Sequence, residues 1–404
     1  MLKLMKAELV YRPRLQSMPE PRVAIAYDCL FPTNTGGGER VYRRLAEVFV
    51  ERGSHVDYVT RQQWEAGSAP TAAFSVVPVW HGDIYDAAGT RRARSAALFA
   101  LALFRYFLRH RAQHDIVVVS ALPVLNVFAV QLALLGTRSF IVSDWLEVWD
   151  WRKWRRYSGA AVGTVAFLLQ RAALHLGHLH TVNSTFTGSR IRHYRRGARP
   201  VTLGLVDVAG SATDAPTARP VGPSLVFVGR HIPDKRLRDL LPAFVLARTS
   251  IESLTLDIVG TGPETADVTA RIRELGLGDC VTLHGRVAEP ELQRLVSSAR
   301  ALVNPSEREG FGLVIAEAAA LATPSVVVAG VNNAAADLVV DGVNGFVASS
   351  IDAQTLADAL VRVVEAGEPL RESTRDWFAR ARVTSGLGQS VDAITRAYES
   401  RRAR

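Results

Sequence analysis

The chain has 404 residues, 48% hydrophobic and 22% charged, with 48 Lys and Arg against 39 Asp and Glu for a formal charge of +9. That balance excludes a disordered chain, and the length exceeds one ordinary domain, so two domains are expected. Only Lys3, Lys6, Lys153 and Lys235 are lysines; the spread arginine charge without a recognition motif argues against nucleic acid and leaves anionic small molecules or a membrane surface as partners.

Residues 1–20 read as a loose N-terminus whose charges interrupt any apolar run, unlike a signal peptide. "RVAIAYDCL" (Arg22–Leu30) reads as a buried strand, "TGGGERV" (Thr35–Val41) as a glycine turn, and "RVYRRLAEVFVERG" as a helix ending at Gly53. "HVDYVT", "FSVVPV", "DIVVVS" and "SFIVSDW" continue as short strands among helical segments. Strands alternating with helices predict a parallel α/β sheet. Cys29 and Cys280 lie far apart with no CxxC, which excludes a disulfide scaffold or a Cys-based zinc site and fits a reducing cytosol.

"VAGSATDAPTARPVGP" (208–223) is small, polar and proline-bearing, and reads as a linker. A second strand series follows: "SLVFVGR", "LTLDIVGTGPE", "CVTLHGRV", "ALVNPS", "PSVVVAG" and "GFVA". The prediction is an α/β protein of two Rossmann-like domains, 21–207 and 224–375, with parallel sheets facing across a cleft. Ligands in such sheets bind beyond the carboxyl ends of the strands.

Three features of the second half point to a ligand there. Gly310-Phe311-Gly312 enters a helix, which leaves N–H groups and a positive dipole end for a phosphate, although glycines alone equally make a tight turn. Glu317 is the one polar residue in "LVIAEAAALA"; a carboxylate there needs donors, such as the vicinal hydroxyls of a ribose. "FVGRHIPDKR" places Arg230 and Lys235 past a strand end, where they are either a solvated pair or the cations that neutralise a diphosphate.

Together, "GRHIPDKR", "DIVGTGPE", "VTLHGRV", "NPSEREGFGLVIAEAAALATPSVVV" and "DGVNGFV" resemble the retaining glycosyltransferases of family 4, which have the GT-B architecture. The resemblance implies that Arg230 and Lys235 bind the diphosphate of a UDP- or GDP-sugar, that Glu309 holds sugar hydroxyls and that Glu317 holds the ribose. It also implies that the backbone of Gly310, Phe311, Gly312 and Leu313 cradles the distal phosphate, with the base near Gly262, Arg286 and Val287. Ala322 stands where the family usually has glycine. Gly37 and Gly38 of the glycine turn are expected to border donor and acceptor. The resemblance implies no metal and no cofactor beyond the nucleotide-sugar, and the chain contains no Asp-x-Asp. A final helix at about 376–404 is implied to pack back on the first domain.

Many family members carry a histidine where this chain has Ser120; Ser120, Asp144 and Glu147 are the candidate acceptor-binding groups. His81, His114 and the histidines of "HLGHLH" have no metal-ligand partner set and read as surface or packing residues. "WLEVWDWRKWRRY" mixes Trp145, Trp149, Trp151 and Trp154 with Arg and Lys, and "RRARSAALFALALFRYFLRHR" flanks an apolar run with arginines. Basic-aromatic surface suits a membrane interface and a lipid-linked acceptor, and core packing suits the same residues. The expected activity is transfer of a hexose-type sugar, with retention, to a glycan, lipid-linked or small-molecule acceptor in cell-envelope polysaccharide or glycolipid synthesis. The expected place is the cytoplasm, free or at the inner face of the membrane. A sugar-nucleotide epimerase of related fold and an inactive sugar-nucleotide-binding partner are the alternatives. A dinucleotide oxidoreductase needs the GxGxxG spacing that neither "TGGGERV" nor "GTGPE" has.

Overall fold

The computed structural model describes residues 20–404 except 35, 66, 69, 85–90, 205–221 and 331. The expected loose segment 1–20 and linker 208–223 therefore lie almost wholly outside the described residues.

In the first half, β1 (Arg22–Ala26), α1 (Gly37–Glu51), β2 (His55–Gln62), β3 (Ser75–His81), α2 (Ala93–Arg109), β4 (Ile116–Ser120), α3 (Leu125–Ala133) and β5 (Phe140–Trp145) follow in order. Then come α4 (Trp151–Ser158), α5 (Ala160–Ala173), β6 (Leu179–Val182), α6 (Thr185–Tyr194) and β7 (Val201–Thr202). All seven strands are parallel, in the order β3-β2-β1-β4-β5-β6-β7. Both sheet faces are covered, which is why β1 and β4 are apolar at every core position. Val23 and Ile25 pack on one side with Tyr42, Leu45 and Phe49 of α1. Ala24 and Ala26 pack on the other with Phe99, Leu103 and Phe107 of α2.

The second half runs β8 (Ser224–Val228), α7 (Leu237–Ser250), β9 (Thr255–Val259), α8 (Thr265–Glu274), β10 (Val281–Gly285), α9 (Glu289–Ser298) and β11 (Ala301–Asn304). It continues with α10 (Leu313–Ala320), β12 (Ser325–Val328), β13 (Gly345–Ala348), α11 (Ala353–Thr384) and α12 (Leu387–Arg402). Its six parallel strands are ordered β10-β9-β8-β11-β12-β13. Strand order reverses between β1 and β4 and again between β8 and β11, the switch points where crevices open at the carboxyl edge.

Gly367, at φ 57° and ψ −142°, breaks α11 just before Pro369. The chain stays with the second sheet through Phe378, which packs on Ala316 and Ala319 of α10. After Gly386, α12 lies on the first sheet: Leu387, Val391 and Ile394 join the core of β1 and α1, and Arg52 pairs with Asp392 at 2.8 Å.

Candidate active site

The β8 and β11 loops meet because their strands are neighbours at the switch point. A single turn of 3₁₀ helix, Pro233–Lys235, follows β8, and the Glu307 N–H donates to the Asp234 carbonyl at 2.9 Å, tying the two loops together. Buried Asn333 donates to the carbonyls of Ser306 (3.0 Å) and Val328 (2.8 Å), fixing the β11 loop to the end of β12. Glu309 is held on both sides: its N–H donates to Asn332 and its carbonyl accepts from Ala334. The result is that Lys235 Nζ donates to the Glu309 carboxylate, with both side chains largely buried.

Gly312 begins α10 in the left-handed region at φ +79°, where an added Cβ would stand 2.7 Å from the Ala335 Cβ. Only glycine meets both conditions. A Gly312→Ala variant is expected to lose about 1–3 kcal/mol of stability, read as a lower urea midpoint; an unchanged midpoint would contradict this geometry. The helix start leaves its first N–H groups without intrahelical acceptors.

Glu317, one turn along α10, is partly buried, and its Oε1 accepts from Arg40 of α1 at 3.2 Å. Arg40 also donates to Glu289 at 2.8 Å. Burial pushes the Glu317 carboxyl above its usual range, with Arg40 opposing. Glu317 therefore faces the opposite half of the molecule, and the apolar run around it packs on β11, β12 and α11.

The glycine turn sits directly across. A Cβ on Gly37 would lie 3.0 Å from Leu313, and one on Gly38 would meet Tyr27 and Leu146 at 3.0 and 3.1 Å. A Cβ on Gly310 would approach Asn183 at 3.1 Å. Gly37, Gly310 and Leu313 thus lie at a contact between the two halves, with half-buried Phe311 packed on the core of the first half beside them. Arg230 is exposed past β8, and the Arg286 Nε–H donates to Thr261 at 3.3 Å beside half-buried Val287. Gly262 accommodates the backbone of His231, whose carbonyl would be 2.3 Å from a Cβ.

The acceptor candidates divide. Glu147 lies at the boundary between the halves, accepting from Arg308 (2.8 Å) and from Lys153 (3.0 Å). Burial pushes Glu147 up, but Lys153 and Arg308 outweigh it and hold the carboxyl below its usual range. Burial and then Arg308 bring Lys153 down to about 8, against the pull of Glu147. Its ammonium sits 3.9 Å from the Trp149 ring centre.

Asp144 and Ser120, by contrast, are fully buried inside β5 and β4 and reach no open surface, so neither is an open-cleft group. Asp144 accepts from Tyr42 and from Thr181, each at 2.5 Å, and Ser120 bonds to the backbone of Leu122. Burial lifts Asp144 to about 6, against these two hydrogen bonds. Since its folded value lies above the unfolded one, the native state takes up the proton first, and this group favours folding increasingly as pH falls through 6. Tyr42→Phe removes a bond to the ionised form and is expected to cost about 1.5–3 kcal/mol at neutral pH. That loss should shrink on acidification; a pH-independent loss in urea titrations would contradict the assignment.

Arg40, Arg308, Lys153 and Asn183 are site residues that motif reading does not mark. Arg40 and Arg308 are each one arginine in an arginine-rich chain, and only the nearby Gly37, Gly38 and Glu309 carried a signal. Trp145 is fully buried in the core, its Nε1–H donating to His180 at 3.0 Å, whereas Trp151 is exposed. Among the described residues no group of three His, Cys, Asp or Glu side chains is placed to hold a metal ion.

The sequence pattern of the family described as Glycosyl transferases group 1 matches residues 222–366. The chain is 33% identical over 209 residues to a D-inositol 3-phosphate glycosyltransferase of Frankia alni, covering 44% of this chain and 51% of that one. It is 30% identical over 152 residues to an alpha-D-kanosaminyltransferase of Streptomyces kanamyceticus, covering 37% and 38%. The matched stretch thus spans about half, or less, of these relatives' length. Among solved structures, sucrose-phosphate synthase from Thermosynechococcus elongatus superposes with a TM-score of 0.71 at 18% identity, over 95% of this chain and 99% of that one. The Anabaena protein Alr3699/HepE, in complex with UDP and glucose, superposes with a TM-score of 0.64 at 17% identity, over 94% and 100%. The chain has the two-domain GT-B fold, and residues 222–366 match the sequence pattern of the group 1 glycosyl transferases.

Proposed function

We propose that the protein is a retaining, metal-independent hexosyltransferase that moves a sugar from a UDP- or GDP-sugar to a glycan, lipid-linked or small-molecule acceptor. The observation that carries this is the meeting of the Lys235–Glu309 pair, the α10 N-terminus and Glu317 at one switch point, facing the Gly37 turn. In this reading Glu317 accepts from the ribose hydroxyls and Glu309 from the sugar. Arg230, Lys235 and the α10 start lie where negative charge grows on the departing diphosphate. The anomeric carbon–phosphate oxygen bond breaks as the acceptor hydroxyl oxygen bonds to that carbon on the same face. The hydroxyl proton passes to the departing phosphate oxygen, so no separate base is required. Gly262, Arg286 and Val287 border the place left for the nucleobase. Glu147 stands at the acceptor side, already neutralised by Arg308 and Lys153, which suits orienting a hydroxyl more than removing its proton.

The test is a thermal-shift screen of UDP- and GDP-sugars on the native chain, Lys235→Ala and Glu317→Ala. A ligand at a hundred times its Kd stabilises by about 2.7 kcal/mol, and that gain should fall in both variants. Equal stabilisation of all three proteins by a sugar nucleotide would sink the site assignment.

A further inference from the structure

Among the described residues, ten of the twelve large hydrophobic side chains that stand exposed lie between Leu98 and Leu168; the others are Val340 and Val383. The helices that carry most of them cover one face of the first sheet. Phe99, Leu103 and Phe107 of α2, Val127 and Val130 of α3, and Ala173 of α5 all pack in the same core against Ala24, Val117 and Ile141. Their opposite sides face water. On α2, Leu98, Leu101 and Leu108 are 39–43% exposed; on α3 and its end, Leu132 and Leu135 are 61% and 64% exposed; on α5, Val162, Val165 and Leu168 are 55–60% exposed. The face is continuous: α2 packs along α3, α5 touches α3, and α4 packs along α5. The Tyr157 hydroxyl at the end of α4 closes it, accepting from the Arg91 N–H at 3.3 Å just before α2.

The charge on this face has one sign. The helices α2, α3, α4 and α5 contain no Asp or Glu. Arg94, Arg105 and Arg109 of α2 and Arg152, Arg155 and Arg156 of α4 are exposed. Along α2 the order Arg94, Leu98, Leu101, Arg105, Leu108 steps by four and three residues, so cations and leucines share one helical stripe. A protein–protein interface core is depleted in charge, and a symmetric second copy would set these arginines against one another with no acid to pair them. A bilayer surface of anionic lipid answers both halves of the pattern: phosphates take the arginines, while leucine, valine and Trp151 enter the interfacial layer. No described helix is long and apolar enough to cross a membrane, so the contact is with one surface.

We infer that the outer face of α2, α3, α5 and α4 docks on an anionic membrane surface. Its α4 edge reaches the boundary between the halves, where Lys153 and Arg308 share Glu147. Resting on the function proposed above, this edge places a lipid-borne acceptor beside the transfer site.

The experiment is co-sedimentation of the full chain with vesicles of phosphatidylcholine alone and of phosphatidylcholine with phosphatidylglycerol, without donor or acceptor. Partition onto the anionic vesicles is expected to be at least about tenfold greater, given roughly fivefold per surface cation engaged, and to fall with added salt. Arg152→Glu with Arg155→Glu should abolish the anionic preference, and Leu98→Ser with Leu101→Ser should weaken binding, with the urea midpoint and any sugar-nucleotide thermal shift unchanged. Failure of the native chain to bind either vesicle would overturn the inference, as would face variants that bind as tightly as the native chain. A native dimer that Leu98→Ser with Leu101→Ser turns into monomer would overturn it in favour of a second copy. A missing sugar-nucleotide response beside intact vesicle binding would count against the proposed function alone.

Discussion

Lys235→Ala is expected to lower kcat by about 10²–10³, the usual consequence of removing one preorganised charged donor from a site where charge develops. Lys235 is aimed by its 3₁₀ turn and by the loop tie between Asp234 and Glu307, so its ammonium has little freedom to lose on binding. Its partner Glu309 has a side chain only 13% exposed and would be left without that cation. Stability should therefore fall too, by about 1–3 kcal/mol for an acceptor left unsatisfied. Steady-state kinetics beside urea denaturation separates the two effects. Lys235→Arg keeps the charge but replaces a compact ammonium with a planar fork, and should recover stability better than rate. A Lys235→Ala enzyme with native kcat would remove this residue from the transfer step.

The second large effect concerns Glu317. Two ribose hydroxyls donating to a carboxylate form charge-assisted hydrogen bonds, worth about 1.5–3 kcal/mol each, so Glu317→Ala should weaken donor binding by about a hundredfold or more. Burial holds this carboxyl above its usual range while Arg40 pulls it down. Acidification from neutral pH should therefore protonate Glu317 early and weaken the donor complex. Arg40→Ala removes the opposing cation and should move that loss to higher pH, whereas Glu317→Gln should flatten it. Titration calorimetry of the nucleotide across pH measures all three. Identical pH profiles in the native chain and Glu317→Gln would show that another group governs the dependence.

Much of the architecture is legible along the chain because it is written in neighbouring residues. Short apolar runs such as Val23–Ala26 and Ile116–Val119 are buried on both faces, and that double burial yields an unbroken hydrophobic string instead of an alternating one. The cradle from Glu309 to Glu317 is legible for a similar reason. A left-handed glycine, a helix start and a carboxylate one turn later all fall within a few residues, so local conformation alone brings them together.

What crosses the molecule was not legible. Asp144 ends a strand in the sequence and invites a place at the cleft, yet Tyr42 and Thr181 enclose it in the sheet. Arg40 reaches Glu317 over 277 residues of chain, and Glu147 reaches Arg308 over 161. Two segments of basic-apolar sequence were visible separately, but α3 and α5 join them into one face only because α2, α3 and α5 lie together on one side of the first sheet and α4 packs along α5. The sequence by itself determined the parallel strands, the two halves and the glycine turn into the helix that carries Glu317, since periodicity and backbone freedom act over a few residues. The tertiary structure decided which charges pair across the halves, which carboxylates are shut away from water and which helix sides stay open, because those depend on distances between residues that no local pattern encodes.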